Sequence, residues 1–287
     1  MNGLVIVDKP EGITSADVVR CAKRLLRTKT GHLGTLDPFA SGVLPLCVGD
    51  GTKIAQFLNY ADKDYSGRIQ LGEETDTGDP TGTVTRTEPV PRFDDAQLHE
   101  IALRLTGEID QVPPMYSAIK RAGTPLYKLA RRGIEVDRVA RRITIHSFRL
   151  NQDDERNLTF AVSCSKGTYV RVLAGTVAAA LGTVGHLASL RRTKFGRFRE
   201  QDSISLDAFE AGNVEVISLA EALHDLRQLE LPPADASRAR SGFLPLLETV
   251  PRGHPGETMK LVDRAGELIA VIACDQRAMW RYARVFS

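Results

Sequence analysis

Gly31-His32-Leu33-Gly34-Thr35-Leu36-Asp37-Pro38-Phe39-Ala40-Ser41-Gly42-Val43-Leu44-Pro45-Leu46 is the stretch around which the chain is organised. Gly31, Gly34, Pro38 and Gly42 punctuate it too often for a regular helix. It follows a helix-like segment and runs into a strand-like one over 43–48. It therefore reads as a tight apolar loop carrying one acidic side chain, Asp37. Pro38 fixes its own φ and biases Asp37 away from the α region. Gly34 and Gly42 permit left-handed turns or the close approach of another backbone. A lone carboxylate among apolar residues is costly unless paired. Type and spacing alone favour a turn Asp that bonds its own backbone.

The chain outward from this loop is ordinary in composition. Its 287 residues, 42% hydrophobic and 26% charged, suffice for one large domain or a large and a small one. No apolar run is long enough to span a bilayer. The N-terminus enters the strand-like Leu4–Val7 at once, without the basic start and small-residue cleavage site of a signal peptide, so a cytoplasmic location is expected. Cys21, Cys47, Cys164 and Cys274 are scattered in apolar runs and read as buried thiols. The six histidines form no metal-ligand pattern, and no metal site is expected.

Net charge is only +2, but it is unevenly spread. Residues 73–100 carry eight acidic and two basic side chains, whereas residues 101–150 carry ten basic and four acidic, an excess of +6. That asymmetry suits a basic patch offered to a polyanion, and equally a solvated Arg-rich face.

Periodicity predicts a buried strand over 4–8 and an amphipathic helix over 14–28 that opens on a Thr14/Asp17 capping box. Further helices are expected over 52–60, 94–105, 169–181 (closed by Gly182) and 218–229 (opened by Ser218 and Glu221). Strands are expected over 65–71, 143–150, 158–164 and 186–193. The Thr/Asp/Gly-rich 75–84, with Asp76 and Asp79, reads as turn chemistry. Composition shifts at Leu231-Pro232-Pro233, and the short strand candidates 259–262, 268–274 and 282–286 suit a small β-barrel. Strands and helices do not alternate regularly, so an α/β (α+β) fold with a mixed or antiparallel sheet is expected rather than a doubly wound parallel one.

Gly31-His32-Leu33-Gly34-Thr35-Leu36-Asp37-Pro38, with the following Gly42-Val43-Leu44, resembles the active-site motif of the TruB family, the tRNA pseudouridine-55 synthases. Ser165-Lys166-Gly167-Thr168-Tyr169-Val170-Arg171, Lys63-Asp64-Tyr65, Asp8-Lys9-Pro10 and Leu190-Arg191-Arg192-Thr193 extend the resemblance over nearly the whole chain. It implies a pseudouridine-synthase catalytic domain, 1–230, followed by a PUA-like RNA-binding barrel, 231–287. It implies that Asp37 is the catalytic carboxylate and that Arg171 pairs with it and keeps its pKa low. Without the resemblance, Arg171 reads as a solvated residue in a first helical turn, where the helix dipole disfavours it. Tyr65 would stack on uracil and take part in the final proton removal; plain packing is its competing reading.

The same resemblance assigns His32 to RNA contact near the flipped nucleotide, Lys9 to the RNA, and Tyr169 to the neighbourhood of Asp37. A backbone-satisfied loop His and a turn-supporting Lys are the competing readings. The basic segment, about 115–142, would grip the T arm of tRNA through Lys120, Arg131, Arg132, Arg141 and Arg142, offsetting the cost of flipping the base out. The reaction has no redox step or group donor, so no cofactor is expected. Neither an obligatory protein partner nor a membrane is expected, and a monomer suffices. A non-catalytic RNA-binding module on the same scaffold, and a guide-RNA-dependent relative, are the alternatives. Intact Asp37, Tyr65 and Arg171 speak against the first, and the short C-terminal module without long basic tails against the second.

Overall fold

The computed structural model describes residues 1–58, 61–121 and 123–286. In chain order, β1 (Gly3–Lys9) leads to α1 (Ser15–Leu26), β2 (Thr30–His32), β3 (Ser41–Val48), α2 (Gly51–Leu58) and β4 (Lys63–Leu71). The hairpin of β5 (Glu73–Thr75) and β6 (Val84–Thr87) precedes α3 (Asp95–Arg104) and β7 (Gly107–Gln111). The short β8 (Lys120–Arg121), β9 (Thr124–Pro125) and α4 (Leu126–Ala130) come before β10 (Arg141–Gln152), β11 (Asn157–Cys164), α5 (Val170–Ala180) and β12 (Gly185–Phe195). After β13 (Phe198–Arg199), β14 (Ile204–Ser205), α6 (Leu206–Glu210) and α7 (Leu219–Ala222), the chain forms β15 (Arg227–Glu230), α8 (Pro233–Arg240), β16 (Thr258–Val262), β17 (Leu268–Cys274) and β18 (Trp280–Val285).

The large sheet is mixed, in the order β14-β1-β3-β12-β4-β11-β10-β7, with β2 beside β3 and β13 beside β12. β3 and β12 run parallel, and so do β1 and β14; the other pairings are antiparallel. β3 shows why the sheet is covered twice. Leu44, Leu46 and Val48 point into one hydrophobic cluster with residues of α1, α3 and α5, while Val43 and Cys47 point into a second. Period-2 alternation divides a continuous apolar run between two covered faces.

The C-terminal strands form a separate sheet, β15-β16-β17-β18, consistent with a small PUA-like domain. Its own cluster includes Leu261, Ile269, Ile272 and Trp280. Its other side, through Val262, Leu268, Val271 and Phe286, joins Leu4, Ile6 and Val43 in the second cluster of the large sheet. Lys260 Nζ donates to Ala220 O at 2.7 Å across the same contact. Arg227–Glu230 already pairs with this sheet, ahead of the composition break at Leu231.

The capping box on α1 is formed: Asp17 N donates to Thr14 Oγ1 and Thr14 N to the Asp17 carboxylate. The helix expected over 52–60 is seen as Gly51–Leu58, and its last two expected residues lie outside the described residues. The helix expected over 218–229 is not there. Only Leu219–Ala222 is helical; Ser218 still caps it, its Oγ accepting from Glu221 N at 3.2 Å. Beyond it, Gln228 and Leu229 pair with Lys260 and Leu261, and this tertiary ladder overrides the local helical pattern. Cys47, Cys164 and Cys274 are buried free thiols, and the partly buried Cys21 donates to Glu210 Oε1. No helix is long and apolar enough to cross a membrane among the described residues.

Candidate active site

The loop that follows β2 is held from three sides. Ser15, at the start of α1, donates its hydroxyl to Leu36 O at 3.0 Å and accepts from Leu36 N at 2.9 Å. Gly12 N donates to Pro38 O, and Ala40 N to Asp37 O at 3.1 Å, closing a turn with Pro38 at its second position. The turn expected from the sequence is thus made by the Asp37 backbone carbonyl, which leaves the carboxylate to face elsewhere. Gly34 and Gly42 are required by geometry. Both have positive φ, +66° and +106°, and a Cβ on Gly42 would lie 2.2 Å from Arg192 O. Leu36, Phe39 and Ala40 are buried and fix the loop to the core.

Asp37 faces a pocket of about 340 Å³, at the small end for ligand sites. Tyr65, Tyr169 and Arg171 line the same pocket, together with Lys63 and Arg192. Four residues that the sequence placed at the chemistry, from three separate segments, therefore converge.

Arg171 is the hub. Its position in the first turn of α5 is fixed by Gln111 of β7, whose side chain accepts from Tyr169 N at 2.7 Å and donates to Tyr169 O at 3.1 Å. The Arg171 side chain is buried, and Nε lies 3.0 Å from Asp37 Oδ2. Nη1 donates to Thr77 O and Nη2 to Tyr116 O, both at 2.7 Å. One guanidinium thus ties together the Asp37 loop, the Thr-rich loop and the start of the basic segment.

Asp79, read from sequence as turn chemistry, also belongs here. It does organise its turn, accepting from the Thr77 and Thr81 hydroxyls and from Thr81 N. Its other oxygen lies 3.6 Å from Arg171 Nη1 in a buried position. No motif in the sequence flags it, because the contact joins residues 92 positions apart through the packing of α5 on the sheet. Two carboxylates therefore share one arginine. Burial pushes the Asp37 carboxyl above its ordinary range, Asp79 adds to the rise, and Arg171 and Lys9 oppose it. The expectation that the cation keeps this pKa low is corrected: Arg171 acts in that direction, but burial outweighs it.

Lys9, expected at the RNA, is wholly buried instead. Its ammonium donates to Pro10 O and Ile13 O at 2.8 Å and to Pro38 O at 3.4 Å. With three donors on three carbonyls, it fastens the N-terminal turn to the residue after Asp37 and offers nothing to a phosphate. Burial lowers its pKa to about 8, against the pull of Asp37. His32 ends β2 opposite Leu46 and does not line the pocket. Burial, with Arg192, holds its imidazole below the usual pKa, so it is neutral at pH 7.

The basic segment is exposed at Lys120, Arg131, Arg132, Arg141 and Arg142. Arg131 stacks over the Tyr127 ring at 5.6 Å. Arg142 is spoken for, its Nε 2.8 Å from Asp110 and its Nη1 3.3 Å from Glu108 on the neighbouring β7. Arg138 likewise meets Glu135 at 3.1 Å. Glu108, Asp110 and Glu135 are already counted in the +6 excess, so these pairs show which cations are occupied and leave the excess on the others. Among the described residues no three His, Cys, Asp or Glu side chains converge as a metal site.

Residues 23–170 match the family described as TruB family pseudouridylate synthase (N terminal domain). The chain belongs to the TruB family of pseudouridylate synthases. A relative from Geobacter sulfurreducens, named tRNA pseudouridine synthase B, is 42% identical over 282 residues, covering 94% of this chain and 93% of its own. One of the same name from Psychrobacter cryohalolentis is 44% identical over 271 residues, 92% of this chain and 73% of its own. A third, from Aromatoleum aromaticum, is 50% identical over 212 residues, 74% of this chain and 68% of its own. Among solved structures, a Cbf5-Nop10-Gar1 complex matches with a TM-score of 0.71 at 23% identity, covering 99% of this chain and 85% of that one. An H/ACA RNP bound to a substrate RNA matches with a TM-score of 0.72 at 21% identity, again over 99% and 85%. At that identity the likeness shows the shared fold. As a TruB-family enzyme, the chain is an isomerase that converts uridine to pseudouridine.

Proposed function

We propose that this TruB-family enzyme isomerises the T-loop uridine, position 55, of tRNA, with Asp37 as its nucleophile and without a cofactor. The observation that carries the reading is the Asp37 carboxylate, set on a fixed turn at 3.0 Å from Arg171 in a pocket that Tyr65 also lines. Isomerisation breaks the bond from uracil N1 to the ribose, turns the base and rejoins it through C5. The electron pair of the broken bond stays on the base, one proton leaves C5 and one is taken up at N1, so nothing is oxidised and no group is donated. Asp37 adds to the base or to the sugar, and Arg171 positions it and balances its charge. Tyr65 stacks on the uracil. Tyr169 lines the same pocket beside Asp37.

The target nucleotide enters flipped out of the folded RNA, which costs a few kcal/mol. Exposed cations of segment 115–142, chiefly Lys120, Arg131, Arg132 and Arg141, offset that cost on T-arm phosphates. The segment is joined to the site through Tyr116 O, so RNA binding and the setting of Arg171 are mechanically linked. The enzyme works as a monomer in the cytoplasm, with tRNA as its partner.

Asp37→Asn tests the reading. Asn is nearly isosteric, so the turn and the RNA surface stay intact while the nucleophile is removed. With enzyme in excess over unmodified tRNA transcript, the variant binds as the parent does and forms no pseudouridine. A helper acid or base would typically cost only ~10²–10⁴-fold, leaving slow product at long times. Conversion by Asp37→Asn would make Asp37 structural, and a parent that binds without converting would leave an RNA-binding module.

A further inference from the structure

Arg192 is fully buried, yet it faces the pocket. Its position is set by the sheet. Arg192 on β12 is the register partner of Tyr65 on β4 and, on its other side, of Gly42 on β3. Nε donates to Val43 O at 2.7 Å and Nη2 to Gly34 O at 2.9 Å, and the guanidinium lies 5.3 Å from the centre of the Phe195 ring. The remaining nitrogen, Nη1, is buried and has no hydrogen-bond partner among the described residues. No carboxylate stands within ion-pair distance among those residues, and the group that favours its charge is the Tyr65 hydroxyl beside it.

A buried guanidinium without a counter-ion costs several kcal/mol, and an unmet buried donor adds to that. Two carbonyls meet part of this cost; the empty nitrogen points to a ligand. Its geometry restricts the ligand. A phosphate or carboxylate takes the bidentate fork of an arginine, and here the fork is spent on backbone. One nitrogen is left, which suits a single carbonyl oxygen. Gly34 lies against that nitrogen, and a Cβ there would crowd it at 3.2 Å. Tyr65, which stacks on the base in the function proposed above, is the register partner of Arg192 on the adjacent strand.

We propose that Arg192 contacts the substrate: its free Nη1 donates to one carbonyl oxygen of the target uracil, O2 or O4, and holds the negative charge that gathers there. Attack at C6 would place an enolate on O4. Loss of the ribose leaves the N1 electron pair conjugated with O2. On either route the carbonyl acceptor strengthens as the reaction proceeds, so the contact is tighter in the transition state than in the ground state.

This inference rests on the uridine-isomerase reading, and replacing a single substrate atom separates the two. Three otherwise identical T-arm RNAs carry uridine, 2-thiouridine or 4-thiouridine at the target, and single-turnover rates are measured with saturating enzyme. Conversion of the uridine substrate tests the isomerase reading. The inference predicts that one of the two thio substrates reacts about tenfold to a hundredfold more slowly, the range for losing one charge-assisted hydrogen bond. Arg192→Lys, verified as folded by its thermal transition, should react slowly on all three and show no thio discrimination, which a merely structural arginine would not cause. Where that variant does not fold, the comparison on the parent decides. Equal rates on all three substrates with the parent, or full thio discrimination retained by a folded Arg192→Lys, overturns the proposal.

Discussion

Arg171 Nη1 lies 3.6 Å from Asp79 Oδ2 while Nε of the same side chain lies 3.0 Å from Asp37 Oδ2. The arginine is therefore shared between a carboxylate that faces the pocket and one that is buried behind it. A buried cation between two acids is held in place more firmly than one paired singly, since either lost contact leaves a desolvated charge. The arrangement also sets the proton affinity of Asp37, which burial and Asp79 raise and Arg171 lowers.

The first prediction concerns pH. In the function proposed above Asp37 acts ionised, so the single-turnover rate should fall as pH drops through its pKa, which stands above the usual carboxylate value of about 3.9. Asp79→Asn removes a charge that raises that pKa, so the acid limb of the profile moves to lower pH, at a reduced plateau rate because Arg171 has lost one anchor. A limb that stays in place, or moves up, would show that Asp79 does not act on Asp37.

Lys9→Met replaces a buried ammonium by a side chain of similar size that cannot donate. Three carbonyls lose their donor, and a buried acceptor left unmet costs roughly 1–3 kcal/mol. The expected result is a lower thermal midpoint and slower chemistry, because the bond from Gly12 N alone then holds the N-terminal turn to Pro38 O, with tRNA affinity unchanged. Weakened tRNA binding at an unchanged midpoint would instead return Lys9 to the RNA surface.

For the basic segment, salt dependence discriminates between free and paired cations. Arg131→Ala and Arg132→Ala should each flatten the slope of log affinity against log salt by up to about 0.7–0.9, the contribution of one phosphate contact. Arg142→Ala should leave the slope nearly unchanged, because Asp110 and Glu108 already neutralise it. A larger change at Arg142 than at Arg131 would overturn the assignment.

Deleting residues 232–287 strands β15 and uncovers Leu4, Ile6 and Val43 where Val262, Leu268, Val271 and Phe286 packed. Each large apolar side chain so exposed forfeits roughly 1.5–3 kcal/mol. The shortened chain should melt several degrees lower or aggregate. A shortened chain with the parent's midpoint would mean that residues 1–231 are self-sufficient, as composition alone suggests.

The chain's local chemistry was legible without coordinates. Glycine and proline spacing marked the Asp37 loop, the Thr14/Asp17 box marked the start of α1, alternation marked β4, and strand-like runs marked β10, β11 and β17, because each depends on residues a few positions apart. The resemblance of short motifs also brought Asp37, Tyr65, Tyr169 and Arg171 to one site. The tertiary structure decided what depends on distant partners. Asp79 joined the site because α5 packs beside the Thr-rich loop. Lys9 was withdrawn from the surface because Pro38 O lies over its ammonium. Residues 227–230 became a strand because β16 offered a ladder that the local helical pattern could not match. Arg192 acquired an unmet donor because β12 sits between β3 and β4 and spends two of its nitrogens on backbone. Local sequence fixes dihedral preference and periodicity, whereas burial and charge compensation are sums over neighbours that only the folded chain brings together.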